Sequence, residues 1–276
     1  MLSKFSNSRS LADNLKLGVL TAFVAGMVNV ASLLIFFAFT SNVTGHYAIL
    51  ASEIAKGNLY QVGVVLSWIF LFFFGGFLSN FIVIHLKDYN NYLAHSLPIL
   101  LEIACLMTVG AYGEYFFKET LLETEFILAL MLFAMGLQNG LTASISNFSV
   151  KTTHLTGTTT ELGMLFSMFT KREFRNNKPL RQKAILLFSI MITYLIGAII
   201  AGLLFTKIGF KVFYFVNIFL LVVITYDLSK VKFYRRLVKQ KIRITPSVNN
   251  LNKQKAYLNY DKLSETKKEK ETLVYD

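Results

Sequence analysis

Hydrophobic residues run along this chain in long continuous stretches separated by short polar segments, with no strict alternation of polar and apolar positions. Six stretches stand out: Leu17 to Phe39, Leu59 to Ile84, Leu93 to Tyr112, Phe126 to Phe148, Ala184 to Phe205 and Val212 to Tyr226. Most approach the roughly 20 residues that a helix needs to cross hydrocarbon. A backbone in lipid must satisfy its own amide groups, so such stretches predict helices, whereas a β-barrel would need short alternating segments. Two further apolar segments, Gly45 to Ala55 and Gly157 to Phe169, are too short to cross and read as re-entrant or interfacial half-helices.

The polar segments orient this pattern. Between the third and fourth stretches Glu114, Glu119, Glu123 and Glu125 outnumber Lys118, which predicts an external loop. After the fourth come Lys151, Lys171, Arg172, Arg175, Lys178, Arg181 and Lys183. After the sixth come Lys230, Lys232, Arg235, Arg236, Lys239, Lys241 and Arg243. Both basic segments are expected on the cytoplasmic side, and six alternating spans then place the N-terminus, with Lys4, Arg9 and Lys16, there too. Met1 to Asn14 is polar and precedes no cleavage site, so the first stretch is expected to be retained as a span.

Composition narrows the class. Of 276 residues, 54% are hydrophobic and 16% charged, with a mean hydropathy of +0.51, which excludes an ordinary soluble domain. The net charge of +12 lies mostly in the tail and one loop, a distribution that fits anionic lipid headgroups rather than nucleic acid. The single cysteine, Cys105, sits in an apolar stretch and reads as packing.

The two halves repeat one another in order and spacing. Phe23, Gly26 and Asn29, followed by Thr40, Thr44 and Gly45, correspond to Phe133, Gly136 and Asn139, followed by Thr152, Thr156 and Gly157. Ser67 and Gly75-Gly76 correspond to Ser189 and Gly197-Ala198, and Glu102-Ile103 to Asn217-Ile218. A unit of three spans must insert upside down the second time. The expected architecture is therefore an all-α polytopic membrane protein of six helices in two inverted three-helix repeats, each with a half-helix after its first span. The Thr44-Gly45 corner would face outward and the Thr156-Gly157 corner inward. The expected division is a cytoplasmic N-terminus (1–15), a first repeat (16–112), an acidic external loop (113–125), a second repeat (126–228) and a basic, largely disordered cytoplasmic tail (229–276).

Two signatures carry a family resemblance: Gly26-Met-Val-Asn29-Val with Ser41-Asn-Val-Thr44-Gly45-His46, and Met135-Gly-Leu-Gln138-Asn139-Gly140 with Thr152-Thr-His-Leu-Thr156-Gly157-Thr158. Over roughly Leu15 to Asp227 the chain resembles the YoaK family of bacterial membrane proteins, a domain of unknown function. The resemblance implies a six-helix bacterial inner-membrane protein and supplies no activity. That family commonly has Asp where Asn29 stands and Asn where His46 stands, so no carboxylate chemistry is expected at position 29.

The candidate chemistry is polar and intramembrane. Thr44-Gly45 and Thr156-Gly157 stand where half-helices would begin, where threonine can cap backbone N–H groups and the partial positive charge suits an anionic or polar group. Thr158 with Glu161 reads as a capping box. Asn29, Gln138, Asn139 and Asn217 are intramembrane amides that either tie helices together or line a pathway. Glu102, the only carboxylate near the middle of a span, is the proton-coupling candidate; the alternative is a neutral hydrogen-bonding partner for Asn217 or Asn29. Gly75, Gly76, Gly197, Ala198, Ala201 and Gly202 suit close helix packing. His46 and His154 read as solvated loop residues, and His85 and His95 as interfacial.

No phosphate loop, metal-ligand spacing or nucleophile motif is present in the sequence, so no cofactor, metal or enzymatic activity is expected. The function expected is a secondary transporter or channel for a small polar or anionic solute, with a non-transporting membrane scaffold or sensor as the alternative. The partners expected are the lipid bilayer and anionic headgroups at the tail, with no nucleic acid; a homo-oligomer is compatible with the sequence.

Overall fold

The computed structural model describes residues 9–225, and the regular elements in that range are all helical. In chain order they are α1 (Leu11–Phe36), α2 (Val43–Lys56), α3 (Leu59–Tyr115), α4 (Leu121–Ser146), α5 (Leu155–Met168), α6 (Arg172–Arg175) and α7 (Lys178–Ile208). A 3₁₀ turn, Gly209–Lys211, leads into α8, residues 212–225. The expectations for the first eight residues and for the tail from 229 lie outside the described residues.

Local chemistry explains the boundaries. Ser10 and Asp13 form a reciprocal capping box at the start of α1, each side chain accepting from the other's backbone N–H at 3.2 Å. Thr120 caps α4 by accepting from the Glu123 N–H at 3.3 Å. Both helices have 26 residues and stop at a left-handed residue, Phe37 (φ 53°) and Asn147 (φ 50°).

α3 is not one rod. At 57 residues it would be about 85 Å long. Asn90 interrupts it with an extended backbone (φ −160°, ψ 99°), and its Oδ1 accepts from the N–H groups of Tyr92 and Leu93 at 3.1 and 3.3 Å. Asn90 thus acts as the N-cap of a second arm, 91–115, after a first arm, 59–89. The turn to α4 occupies only residues 116–120, shorter than the expected loop of 113–125, because helix continues to Tyr115 and resumes at Leu121.

Small residues set the packing. A Cβ on Gly26 would collide with the backbone carbonyl of Tyr194, and one on Gly197 with that of Phe23, so α1 and α7 touch backbone to backbone. The first arm of α3 meets α4 in the same way: Gly75 lies against the Phe133 carbonyl and Gly136 against that of Phe72. The order of contacts gives directions. Gly18 lies by Ile190 and Gly202 by Val30, so α1 and α7 run parallel. Tyr60 meets Glu125 and Asn80 meets Ser144, so the first arm and α4 also run parallel. The second arm is antiparallel to α8, with Gly113 against Phe210, Gly110 against Phe213, and the Tyr92 hydroxyl donating to the Ile224 carbonyl at 3.2 Å. α1 is antiparallel to α8 as well, through Phe23–Phe219 and Phe36–Phe210.

Among the described residues, four helical segments are long and apolar enough to cross a membrane: Leu11–Phe36, Leu59–Tyr115, Leu121–Ser146 and Lys178–Thr225. The second and third hydrophobic stretches fall in one of them, and the fifth and sixth in another. α1 and α4 are the most enclosed, whereas α3 exposes a ladder of phenylalanines, Phe70, Phe73, Phe77 and Phe81, each at least 45% exposed. Water would penalise such a surface and lipid would not, so these helices mark a membrane protein.

Candidate functional site

The site is built where the chain doubles back after each central helix. Residues 37–41 return along α1 until Thr40 and Ser41 reach Asn29, which lies two turns before the helix end. The Thr40 N–H and hydroxyl each donate to Asn29 Oδ1 at 3.0 Å. Asn29 Nδ2 donates to the Ser41 hydroxyl and to the Tyr194 hydroxyl, the latter at 2.6 Å. Asn29 is 4% exposed and commits both of its amide atoms. The second half does the same after α4: the Thr152 and Thr153 hydroxyls donate to Asn139 Oδ1 at 3.3 and 3.0 Å. Each asparagine thereby fixes the point from which a short helix, α2 or α5, departs.

The threonines do not cap those half-helices as expected. Asn42 is the N-cap of α2, its side chain accepting from the Gly45 N–H at 3.3 Å, while His154 occupies the N-cap of α5 without a side-chain cap bond. The capping box expected of Thr158 and Glu161 does not form: Thr158 donates to the His154 carbonyl at 3.0 Å, and Glu161 pairs with Lys183 at 3.0 Å. The two glycines are explained by close approach. A Cβ on Gly45 would lie 3.0 Å from Asn42 Nδ2, and one on Gly157 would overlap the His154 ring, so each glycine makes room for the residue three positions before it.

Both departure points open on one cavity of about 590 Å³. Asn29 and Asn139 line it, together with Ser41, Asn42 and Thr44 from one half and Lys151, Thr153, His154 and Thr156 from the other. Tyr194 and Phe72 also line it, each supplying the carbonyl against which a glycine of α1 or α4 rests. Val43, Ala143, Val150 and Leu155 add apolar wall. A second cavity of about 450 Å³ shares Lys151 and His154 with the first and continues past Thr158, Glu161, Gln182 and Lys183. Thr44 and Thr156, one from each Thr-Gly corner, thus line a shared space.

A family model described as protein of unknown function (DUF1275) matches residues 17–226. The chain belongs to the DUF1275 family. No curated protein and no solved structure matches it. The region shared with the DUF1275 family contains every residue lining the larger cavity.

Of the candidates read from the sequence of this DUF1275 protein, Asn29, Thr44, Asn139 and Thr156 line that cavity, and Gly45 and Gly157 sit one residue beyond the two threonines. Gln138, Asn217 and Glu102 do not line it. All three are buried, and their side-chain polar atoms have no hydrogen-bond partner among the described residues. Glu102 and Asn217 lie on the facing second arm and α8, and the register that sets Gly110 against Phe213 brings them to within about a turn of one another along the pair. Glu102 makes no hydrogen bond to Asn29, whose bonds are all accounted for.

His46 is buried, not solvated: its Nε2 lies 2.8 Å from the Phe39 carbonyl and its ring meets Trp68 edge-on. His95 is fully buried rather than interfacial, whereas His85 and His154 are exposed. Sequence reasoning missed Tyr194, Lys151 and Phe72. The equal spacing of Phe72 and Tyr194, three residues before Gly75 and Gly197, is the signal that pointed to two of them.

Proposed function

We propose that this chain is a six-span inner-membrane protein made of two inverted three-helix repeats, and that it is a secondary transporter or channel moving a small polar or anionic solute through the 590 Å³ cavity. The observation that carries the reading is the convergence of Asn29, Asn139 and the starts of both half-helices on that one space.

The repeat reading is supported by the reciprocity of the glycine contacts. Gly26 and Gly136 rest on the carbonyls of Tyr194 and Phe72, while Gly197 and Gly75 rest on those of Phe23 and Phe133. The first helix of each half thus packs on the second helix of the other. The break at Asn90 and the turn at Gly209–Lys211 supply the two reversals that six spans require. The helix directions are those of alternating spans: α1 parallel to α7, the first arm of α3 parallel to α4, the second arm antiparallel to α8. The charge rule then puts the Glu125 end outside and the Lys151 end in the cytoplasm, and the two signatures favour a YoaK-like bacterial protein. In this reading Glu102 couples protons from the interface of the second arm with α8, not from the cavity wall.

Proteoliposomes test it. Flux of small polar and anionic solutes is expected in the wild type and is expected to fall at least about ten-fold in Asn139→Asp, a variant that keeps the oxygens to which Thr152 and Thr153 donate. Folded, oriented protein without flux of any solute overturns the reading and favours a scaffold or sensor.

A further inference from the structure

We infer that the cavity is a recognition site for a small organic anion, a carboxylate with a short apolar body, held by Asn139 and Lys151 and admitted through the neighbouring 450 Å³ cavity. The inference rests on the reading that this cavity is where the solute sits, and it names the solute's charge and the half that binds it.

The first argument is charge. Among the described residues no Asp or Glu lines the 590 Å³ cavity, and the one Lys or Arg in its wall is Lys151. Among the described residues no carboxylate pairs with Lys151; the acid of the adjoining cavity, Glu161, is engaged by Lys183 at 3.0 Å. A cationic wall without a compensating carboxylate disfavours a cation and leaves an ammonium group free for an anion.

The second argument counts donors. The two asparagines hold equivalent positions but are not equally committed. Asn29 Nδ2 donates to Ser41 and Tyr194, so that amide is a structural tie. Asn139 Oδ1 is held by Thr152 and Thr153, and nothing among the described residues accepts from its Nδ2. The cause is one oxygen atom. The residue standing to Gly136 and Asn139 as Tyr194 stands to Gly26 and Asn29 is Phe72, which has no hydroxyl. Asn139 therefore presents an uncommitted N–H pair to the cavity, on the side where the Lys151 ammonium and the backbone N–H groups at the start of α5 add donors.

The third argument is shape and access. The remaining wall includes Phe39, Val43, Phe72, Ala143 and Val150, which suits an apolar body attached to the anionic head. Lys151 and His154 line both cavities, so the cation borders both spaces.

Thermal unfolding of purified full-length protein in detergent, at constant ionic strength, tests the inference with acetate, butyrate, succinate and benzoate against the matching amides. At least one carboxylate is expected to raise the midpoint in a saturable way, and its amide is not. Lys151→Gln and Asn139→Asp are expected to weaken that affinity about ten-fold or more, and Lys151→Arg to restore it to within about three-fold. Phe72→Tyr is expected to weaken it too, by giving Asn139 the hydroxyl partner that Asn29 already has, a loss that a purely structural Asn139 would not show. Amides that bind as well as acids, affinity indifferent to Lys151→Gln, or no stabilisation by any carboxylate each overturn it. Carboxylate binding with this pattern but no carboxylate flux in proteoliposomes supports the site and contradicts transport. Flux of a neutral amide that ignores Lys151→Gln contradicts the site and leaves transport standing.

Discussion

Adding one methyl group at Gly26 or Gly197 tests the packing that holds the cavity in place. Each new Cβ would fall on a backbone carbonyl of the partner helix, that of Tyr194 or of Phe23, and a carbonyl within a helix cannot rotate away. Restoring contact distance requires α1 and α7 to separate by about 1 Å, which forfeits much of the dispersion gained along the shared face. Each alanine is therefore expected to cost about 2–3 kcal/mol, the upper part of the range for overpacking. The two sites share one interface, so a single separation relieves both clashes, and Gly26→Ala with Gly197→Ala is expected to cost about 1 kcal/mol or more less than the sum. Gly26→Ala with Gly136→Ala disturbs two different interfaces and is expected to add. Reversible unfolding in mixed micelles, followed by the fluorescence of Trp68, the chain's single tryptophan, measures all five variants. Alanine costs below about 0.5 kcal/mol, or coupling between Gly26 and Gly136 in place of Gly26 and Gly197, would refute the reasoning.

The asparagine ties make a second, asymmetric prediction. Asn29→Ala removes four hydrogen bonds at a buried site and is expected to cost about 2–4 kcal/mol, whereas Asn139→Ala is expected to cost about 1–2 kcal/mol; equal losses in the same unfolding assay contradict the donor count. Glu125 accepts from the Tyr60 hydroxyl at 2.6 Å and from Gln61 Nε2 at 3.2 Å. Glu125→Ala is expected to lower stability by about 1–3 kcal/mol and to shift Trp68 emission, because the indole donates to the Glu125 carbonyl at 3.2 Å, while Glu125→Gln is expected to lose less. Glu102→Gln keeps the shape of a buried side chain that has no partner to lose, so its unfolding midpoint and carboxylate affinity are expected to stay at wild-type values. The pH dependence of flux is expected to disappear with it; unchanged pH dependence removes Glu102 from the coupling role.

The hydrophobic stretches made the helices legible, because length and apolar content decide whether a segment can cross lipid. Two short helices were legible as well, found at 43–56 and 155–168 within two residues of the expected apolar segments. The pairing of Gly75 with Gly197 and of Gly26 with Gly136 was visible as spacing. What each glycine touches was not, because a helix apolar on all sides does not declare which face meets a partner. The same ambiguity hid the position of Glu102, which lies away from the cavity. The convergence of the two corners was also hidden. It depends on residues 37–41 folding back along α1 to reach Asn29, a return that hydropathy does not encode. Capping was misread because Thr-Gly was taken as the start of each half-helix, whereas Asn42 and His154 hold that position and the glycines make room for them.

Blocking the cavity in a flux-competent protein tests the central claim most directly. In a Cys105→Ala background, Thr156→Cys places a thiol on the cavity wall, and Thr206→Cys places one on exposed surface near the end of α7. A bulky maleimide at position 156 is expected to abolish solute flux in proteoliposomes, with modification at 206 leaving it intact. Full flux through protein quantitatively modified at position 156 would contradict the account.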